Sequence, residues 1–557
     1  MVHANPHPSA EVPRAQVGQR ILRATGALML IQIIMRGFGL IEKSILGHLF
    51  GTSYFTDAYN AARDIASYLF QLADQVIMHS FLPTFVARIR EKGETDAWRL
   101  ASTTFNLLVI LVAGIALVGV FFAPQVLPLF VPDWFRNAKE YPPQLVPLTI
   151  TLTRVMLVAA IFLTTSSLTY CLLNSYKQFA LPASADLALK GTVLLFAVVL
   201  AKSWGPYALA LGFVIGAAAK LGIHGFGLRA QLREYRPVVA VNHPGFKQFL
   251  LLALPLLVGV SVSIIRQVMD ARFMSSLEEG SYSAIKFAKT LTDVPVQFFP
   301  YVFGIALFPF LADIAVAGDR DRLREMLMKA TRVMALIFLP LATAVIVMRV
   351  DIVAAVFGEA SLTTAQPLQV YALTMLISAL EIIVLQFYFA MSDTMRPTIV
   401  GMLMVPLHIG IAWYGVYHGG WGMLAIPLAL LISKGSKVAV LYGLIREKVA
   451  GLEGRRSLLV MGKILLALVP FLLILLLGIA GLERFTPLQD LLARLPGKLA
   501  RVAALLPLGG VGLLAGGAYA ALLYLLRVEE MTLLLARLRG KLRTAESSAP
   551  PAPAEPM

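Results

Sequence analysis

Arg36, Arg154, Arg272 and Lys286 each stand in a strongly apolar stretch with no acidic residue three or four places away. Three further basic residues have a carboxylate four places off, the spacing that puts both side chains on one helix face: Lys190 with Asp186, Arg266 with Asp270, and Lys289 with Asp293. A charge at the middle of a bilayer costs roughly 2.5–3.5 kcal/mol on insertion scales, so a charge kept there points to function. The spaced pairs can neutralise each other and hold the fold. The others suit a polar cavity, although Arg272 is equally suited to reaching an interface with its long stem. The sign is mainly basic. Arginine and lysine facing a shared cavity fit an anionic ligand, and the guanidinium fork matches phosphate oxygens in two-point contact.

Other charges carry competing readings. Glu42 and Lys43 fit a helix end near headgroups. Asp57 follows Tyr54-Phe55-Thr56 and suits capping of the second helix. Arg63 and Asp64 are adjacent and project in different directions. His48 and His79 read as packing or interface residues. Glu381 is the lone acid of "ISALEIIVLQFYF" and suits either a coupling cation or a hydrogen bond within the bundle. No G-x-x-x-x-G-K-[ST] loop occurs, and no metal-ligand cluster or nucleophile–base pairing stands out. The single Cys171 supplies neither a disulfide framework nor a Cys-based metal site. These residues describe a carrier and not an enzyme.

The elements that position them are transmembrane helices. Of 557 residues, 58% are hydrophobic and 14% charged, with mean hydropathy +0.76, which marks a polytopic membrane protein. Apolar windows predict about fourteen spans, centred near residues 36, 73, 112, 160, 190, 216, 260, 298, 338, 380, 407, 432, 470 and 512. The apolar run from Ala24 carries Arg36 and lacks a small-residue cleavage site, so it reads as a retained first span. Lys and Arg crowd alternate loops, around Arg88–Arg99, Arg229–Lys247, Arg320–Arg332 and Arg446–Arg456. That side is expected to be cytoplasmic, and an even span count places both termini there. Much of the net +16 is then topology, with no nucleic acid required.

A faint repeat divides the chain. "FLPTFVA" (81–87) resembles "LFPFLA" (307–312). Ala58 to Pro83 and Ala284 to Pro309 are both 25 residues apart, and Pro182 to Leu209 and Pro397 to Leu424 are both 27 apart. The expected organisation is a terminal segment (1–20), a first lobe of six spans (21–235), a second of six (245–450), two further spans (455–527), and a basic tail (528–557) whose Pro- and Ala-rich end is disordered. Such repeats place substrate between the halves.

The stretch "MRGFGLIEKSILGHLFGTSYFTDAYNAA" (35–62) resembles the first-span motif of the MurJ/MviN lipid II flippases, in which Arg-x-x-Gly leads to Phe-Gly and Asp-Ala-Phe. The match falls on Arg36, Gly39, Phe50, Gly51, Asp57, Ala58 and Tyr59. "FLP" (81–83), "LLNSYKQFALPA" (172–183), "SSLEEGSYSAIKFAKTLTDVPVQFF" (275–299) and "FYFAMSDTMRPT" (387–398) resemble later motifs of that family, in order. The chain departs from the pattern at Glu42-Lys43, where the family has Arg-Asp. It departs again near Leu69 or Phe70 and at Thr290, where the family has arginine, and at Asp74-Gln75, where it has Glu-Gly.

The resemblance implies an all-α, MATE-like fold: two pseudo-symmetric six-helix lobes facing a cationic cavity, plus two C-terminal helices forming a groove for a lipid tail. It implies alternating-access transfer of undecaprenyl-pyrophosphate-linked peptidoglycan precursor across a bacterial inner membrane. The substrate-binding set expected on this basis is Arg36, Lys43, Asp57, Arg63, Arg266, Arg272, Lys286 and Lys289, with Glu381 as a candidate coupling-ion residue. No cofactor is expected, only coupling to membrane potential or a monovalent cation; partners are the lipid-linked glycan, membrane lipids and cell-wall synthesis proteins. A flippase for another prenyl-linked oligosaccharide, a cation-coupled drug antiporter and a non-transporting scaffold stay open on sequence alone.

Overall fold

The computed structural model describes residues 35 and 37–532, apart from 138, 450, 453 and 485–496. Arg36, the N-terminal segment (1–20) and the tail beyond residue 532 lie outside the described residues. Every regular element among the described residues is helical. The long helices are α1 (37–50), α2 (Tyr54–Lys92), α3 (Glu94–Phe121), α4 (Leu145–Ser175), α5 (Ala180–Val199), α6 (Pro206–Gly227), α7 (Pro244–Met274), α8 (Ser281–Val316), α9 (Arg320–Val347), α10 (Ala365–Ala390), α11 (Met395–Tyr417), α12 (Ala425–Ile445), α13 (Gly454–Arg484) and α14 (Gly497–Leu525).

Among the described residues, eleven spans are long and apolar enough to cross a membrane, and α8 makes twelve if its two arms count as one. The expected fourteen exceed this for physical reasons. The expected first span, centred near residue 36, lies largely outside the described residues. Helix α2 runs 39 residues, but Gln71, Asp74, Gln75 and His79 dilute its apolar centre. Helix α8 bends by 42° between Ser281–Gly304 and Leu307–Val316; it carries Pro295, Pro300 and Pro309, each of which removes a backbone hydrogen bond. Pro83 of α2 and Pro309 of α8, the matched prolines of the repeat, lie 29 (83 − 54) and 28 (309 − 281) residues into their helices.

Two compact units divide the chain. The first comprises the chain to Ile45 with Ala62–Pro124 and Thr149–Val260. Its core gathers Phe81, Phe85, Trp98, Leu168 and Phe249, and Trp98 Nε1 donates to the Tyr176 hydroxyl at 2.9 Å. The second comprises Leu46–Ala61, Gln125–Leu148 and the chain from Ser261. Its core gathers Leu327, Met334, Phe338, Ile383, Phe387 and Leu441 from α9, α10 and α12. There α13 and α14 pack on α9 through Phe471, Leu475 and Tyr519, and the Tyr519 hydroxyl donates to the Leu336 carbonyl at 3.0 Å. Leu465, Leu466, Leu473, Leu476 and Leu477 of α13 stay exposed, as lipid-facing leucines should be when the solvent is hydrocarbon.

Candidate functional site: a cavity ringed by ion pairs

Within the second unit, α7, α8, α10 and α12 enclose a cavity of about 130 Å³, room for roughly four waters. Three of its lining residues are cations: Arg266 from α7, Lys289 from α8 and Lys434 from α12. Hydroxyls of Thr292, Tyr371, Thr374 and Ser378 add polar lining. Helical spacing explains the α8 wall: Lys289, Thr292, Asp293 and Val296 recur every three or four residues and so share a face.

Each cation arrives with a carboxylate. Arg266 Nη1 donates to Asp270 Oδ2 at 2.7 Å, and Lys289 Nζ lies 2.5 Å from Asp293 Oδ2. Both pairs have the i,i+4 spacing read from the sequence. Lys434 is 3.1 Å from Glu381 Oε2, and Lys437 is 2.6 Å from its Oε1. The two oxygens of Glu381, the lone acid of α10, are therefore held by the protein's own ammonium groups. Sequence reasoning missed Lys434 and Lys437; the signal was two lysines three apart in the apolar "LLISKGSKVAVLY".

The remaining expected residues distribute as follows. Lys286 lies one turn before Lys289 on α8, with Nζ 5.7 Å from the Tyr282 ring centroid. Arg272, in the last turn of α7, donates to the Leu129 carbonyl at 2.7 Å and is not among the residues lining the cavity; it serves as an anchor for a loop. Arg154 likewise donates to the Val120 carbonyl at 3.0 Å. Asp57 does not cap its own helix. Its carboxylate accepts from the backbone N–H groups of Gly280 (2.7 Å) and Ser283 (2.8 Å) and from the Ser283 hydroxyl (2.5 Å), capping α8 instead.

In the first unit Arg63 is ion-paired with Glu42 and lies 5.4 Å from the Phe213 ring centroid. Lys43 follows on α1 and is half-buried. Asp186 is bridged at 2.6 Å by Lys220 of α6, a buried lysine the sequence reading passed over, and Lys190 donates to the Met35 carbonyl. Asp74 accepts from Ser167 at 2.9 Å.

A polar, charge-bearing cavity inside a helical membrane bundle can hold a hydrophilic anion by letting it take over the cations from their resident carboxylates. The comparisons with known proteins agree with a carrier. The model of the family described as lipid II flippase MurJ matches residues 46–493. A Bdellovibrio bacteriovorus protein named "Probable lipid II flippase MurJ" is 25% identical over 448 residues, 78% of this chain and 84% of that protein. A Borreliella burgdorferi protein of the same name is 24% identical over 455 residues, 80% and 88% of the two chains. Among solved structures, "Lipid II flippase MurJ, inward closed conformation" superposes with TM-score 0.70 at 19% identity, covering 89% of this chain and 99% of that one. An inward-facing MATE family multidrug resistance transporter gives 0.62 at 14% identity, covering 74% and 94%. The fold is thus MATE-like, and the chain belongs to the lipid II flippase MurJ family.

Proposed function

We propose that this protein is a flippase that moves lipid II, the undecaprenyl-pyrophosphate-linked peptidoglycan precursor, from the cytoplasmic to the outer leaflet of a bacterial inner membrane. The observation that carries this reading is the family match over residues 46–493. The cavity supports it: Arg266, Lys289 and Lys434 supply the donors a pyrophosphate needs, and the carboxylates behind them keep the empty site close to neutral. Lys/Arg-rich alternate loops, with an even number of spans, support cytoplasmic termini. Helices α13 and α14, leucine-rich on their outer faces, offer the prenyl tail a path along the bundle.

Membrane potential is the simplest drive. Outward transfer of negative charge across an inside-negative membrane is favoured by about 2.3 kcal/mol per charge per 100 mV, so two phosphate charges supply about twice that without ATP. The test is complementation: a bacterium depleted of its own lipid II flippase, expressing this chain, is expected to keep growing. Arg266→Gln and Lys289→Gln, at matched membrane levels, are expected to lose the rescue. A wild-type chain that reaches the membrane at normal levels and still fails to rescue would overturn the assignment.

A further inference from the structure

His408 is a buried imidazole that the grip described above does not use. It lies on α11 at 1% exposure. Its Nε2 is 2.7 Å from Asp270 Oδ1, while Asp270 Oδ2 accepts from Arg266. One carboxylate therefore serves a titratable ring on one oxygen and a cavity arginine on the other. On the far side, His408 Nδ1 is 3.3 Å from the Ser433 hydroxyl, which is also 3.3 Å from the Leu430 carbonyl. A hydroxyl so placed can donate to a neutral ring, or turn to the carbonyl and accept from a charged one. The surroundings of the ring thus accommodate both protonation states.

The charges of the site beyond the ring come from four helices. Helix α7 brings Arg266 and Asp270; α8 brings Lys289 and Asp293, with Lys286 acting on Asp270 through its charge. Helix α10 brings Glu381 and the Tyr371 hydroxyl, and α12 brings Lys434 and Lys437. Arg266, Lys289 and Lys434 each rest on one of Asp270, Asp293 and Glu381, so these charges balance while the imidazole is neutral. An anion that engaged Arg266 would draw it off Asp270 Oδ2 and leave the carboxylate to His408 alone.

We propose that His408 is a proton-binding site linked to anion binding in this cavity: an anion engaging Arg266 draws one proton onto His408, and loss of that proton returns Arg266 to Asp270 and expels the anion. The linkage is reciprocal, so the anion binds more tightly as pH falls. The inference deepens the carrier reading above and rests on it only for the identity of the anion.

The test uses the full chain in nanodiscs with isotope-labelled histidine and inorganic sulfate, a probe whose charge is fixed between about pH 5 and 8. The His408 ring signals, assigned by their loss in His408→Gln, are followed through a pH titration with and without sulfate. Saturating sulfate is expected to move the His408 midpoint up by about one pH unit, a tenfold linkage within the usual range of couplings. Arg266→Gln is expected to abolish the sulfate-induced movement, while Arg272→Gln, which is outside the cavity lining, leaves it intact. A midpoint that ignores sulfate, or that moves equally in Arg266→Gln, overturns the proposal. Rescue of lipid II depletion with an unresponsive His408 would sink this inference alone; a responsive His408 without rescue would sink only the substrate assignment.

Discussion

Removal of the Asp57 carboxylate tests how α8 is held at its start. Gly280 is the N-cap of α8 and has no side chain to offer, so the first-turn donors are satisfied from 223 and 226 residues away, through Asp57 Oδ2 on Gly280 and Oδ1 on Ser283. The carboxylate is 2% exposed, and water does not replace it readily. In Asp57→Ala the Ser283 hydroxyl can turn elsewhere, but two backbone N–H groups lose their acceptor. At about 1–3 kcal/mol for each buried unsatisfied donor, and with up to about 2 kcal/mol for an anion at a partly buried helix N-terminus overlapping that sum, a loss of roughly 3 kcal/mol follows. Asp57→Asn keeps one oxygen for Ser283 but turns an amide donor toward the Gly280 N–H, so about half that loss is expected. Hydrogen exchange of the intact protein in nanodiscs reads this locally. At 1.4 kcal/mol per decade, the Gly280 and Ser283 amides should exchange about 100-fold faster in Asp57→Ala and about tenfold faster in Asp57→Asn, with α3 unchanged. Rates within threefold of wild type in Asp57→Ala, or equal effects of the two variants, would refute the capping argument.

Two more outcomes follow from the same geometry and chemistry. Gly280 has φ of +82°, and a Cβ there would meet the Thr52 carbonyl oxygen at 2.4 Å; Gly280→Ala should therefore cost roughly 2–4 kcal/mol in thermal unfolding, combining left-handed strain of about 1–2 kcal/mol with a backbone clash. Gly422→Ala, at φ +52° with open space, should cost only the strain. In the turn between α10 and α11, burial pushes the Asp393 carboxyl up, but hydrogen bonds from Lys448 and the Arg396 N–H, with the charges of both residues, hold it below the usual carboxylate range. A carboxylate depressed in the folded state stabilises above its unfolded pKa and loses that contribution as pH falls through the folded value. Lys448→Met should therefore lower the unfolding midpoint at pH 7, and its deficit against wild type should shrink below about pH 4. A deficit constant from pH 3 to 8 would exclude the ion pair as its source.

The helical architecture was legible because a bilayer admits few solutions: apolar windows near 20 residues become helices, and glycines such as Gly93 and Gly280 fall between them. The count was not fully legible, since α2 spends its middle on Asp74 and its neighbours and α8 bends at prolines. At the site, spacing found what one helix can show by itself. Arg266–Asp270 and Lys289–Asp293 are one turn apart and pair as the periodicity required. Spacing could not show Glu381 meeting Lys437 across 56 residues, His408 meeting Asp270 across 138, or Lys220 meeting Asp186. Those contacts belong to the packing of one helix on another, which no local pattern encodes.

That blind spot changes the physics of the site. Cations without carboxylates would hold a pyrophosphate strongly and release it slowly, and burying them in an empty carrier would cost several kcal/mol per ion. In the structure Arg266, Lys289 and Lys434 each rest on a carboxylate from their own or a neighbouring helix. The empty cavity then pays little for its charge, and an arriving anion gains only the difference between two sets of ion pairs. A carrier needs that modest difference, because a ligand stabilised too deeply at the midpoint of transfer raises the barrier to leaving it. The acids around this cavity are therefore as much a part of the binding site as the bases: they set how easily the cargo is given up.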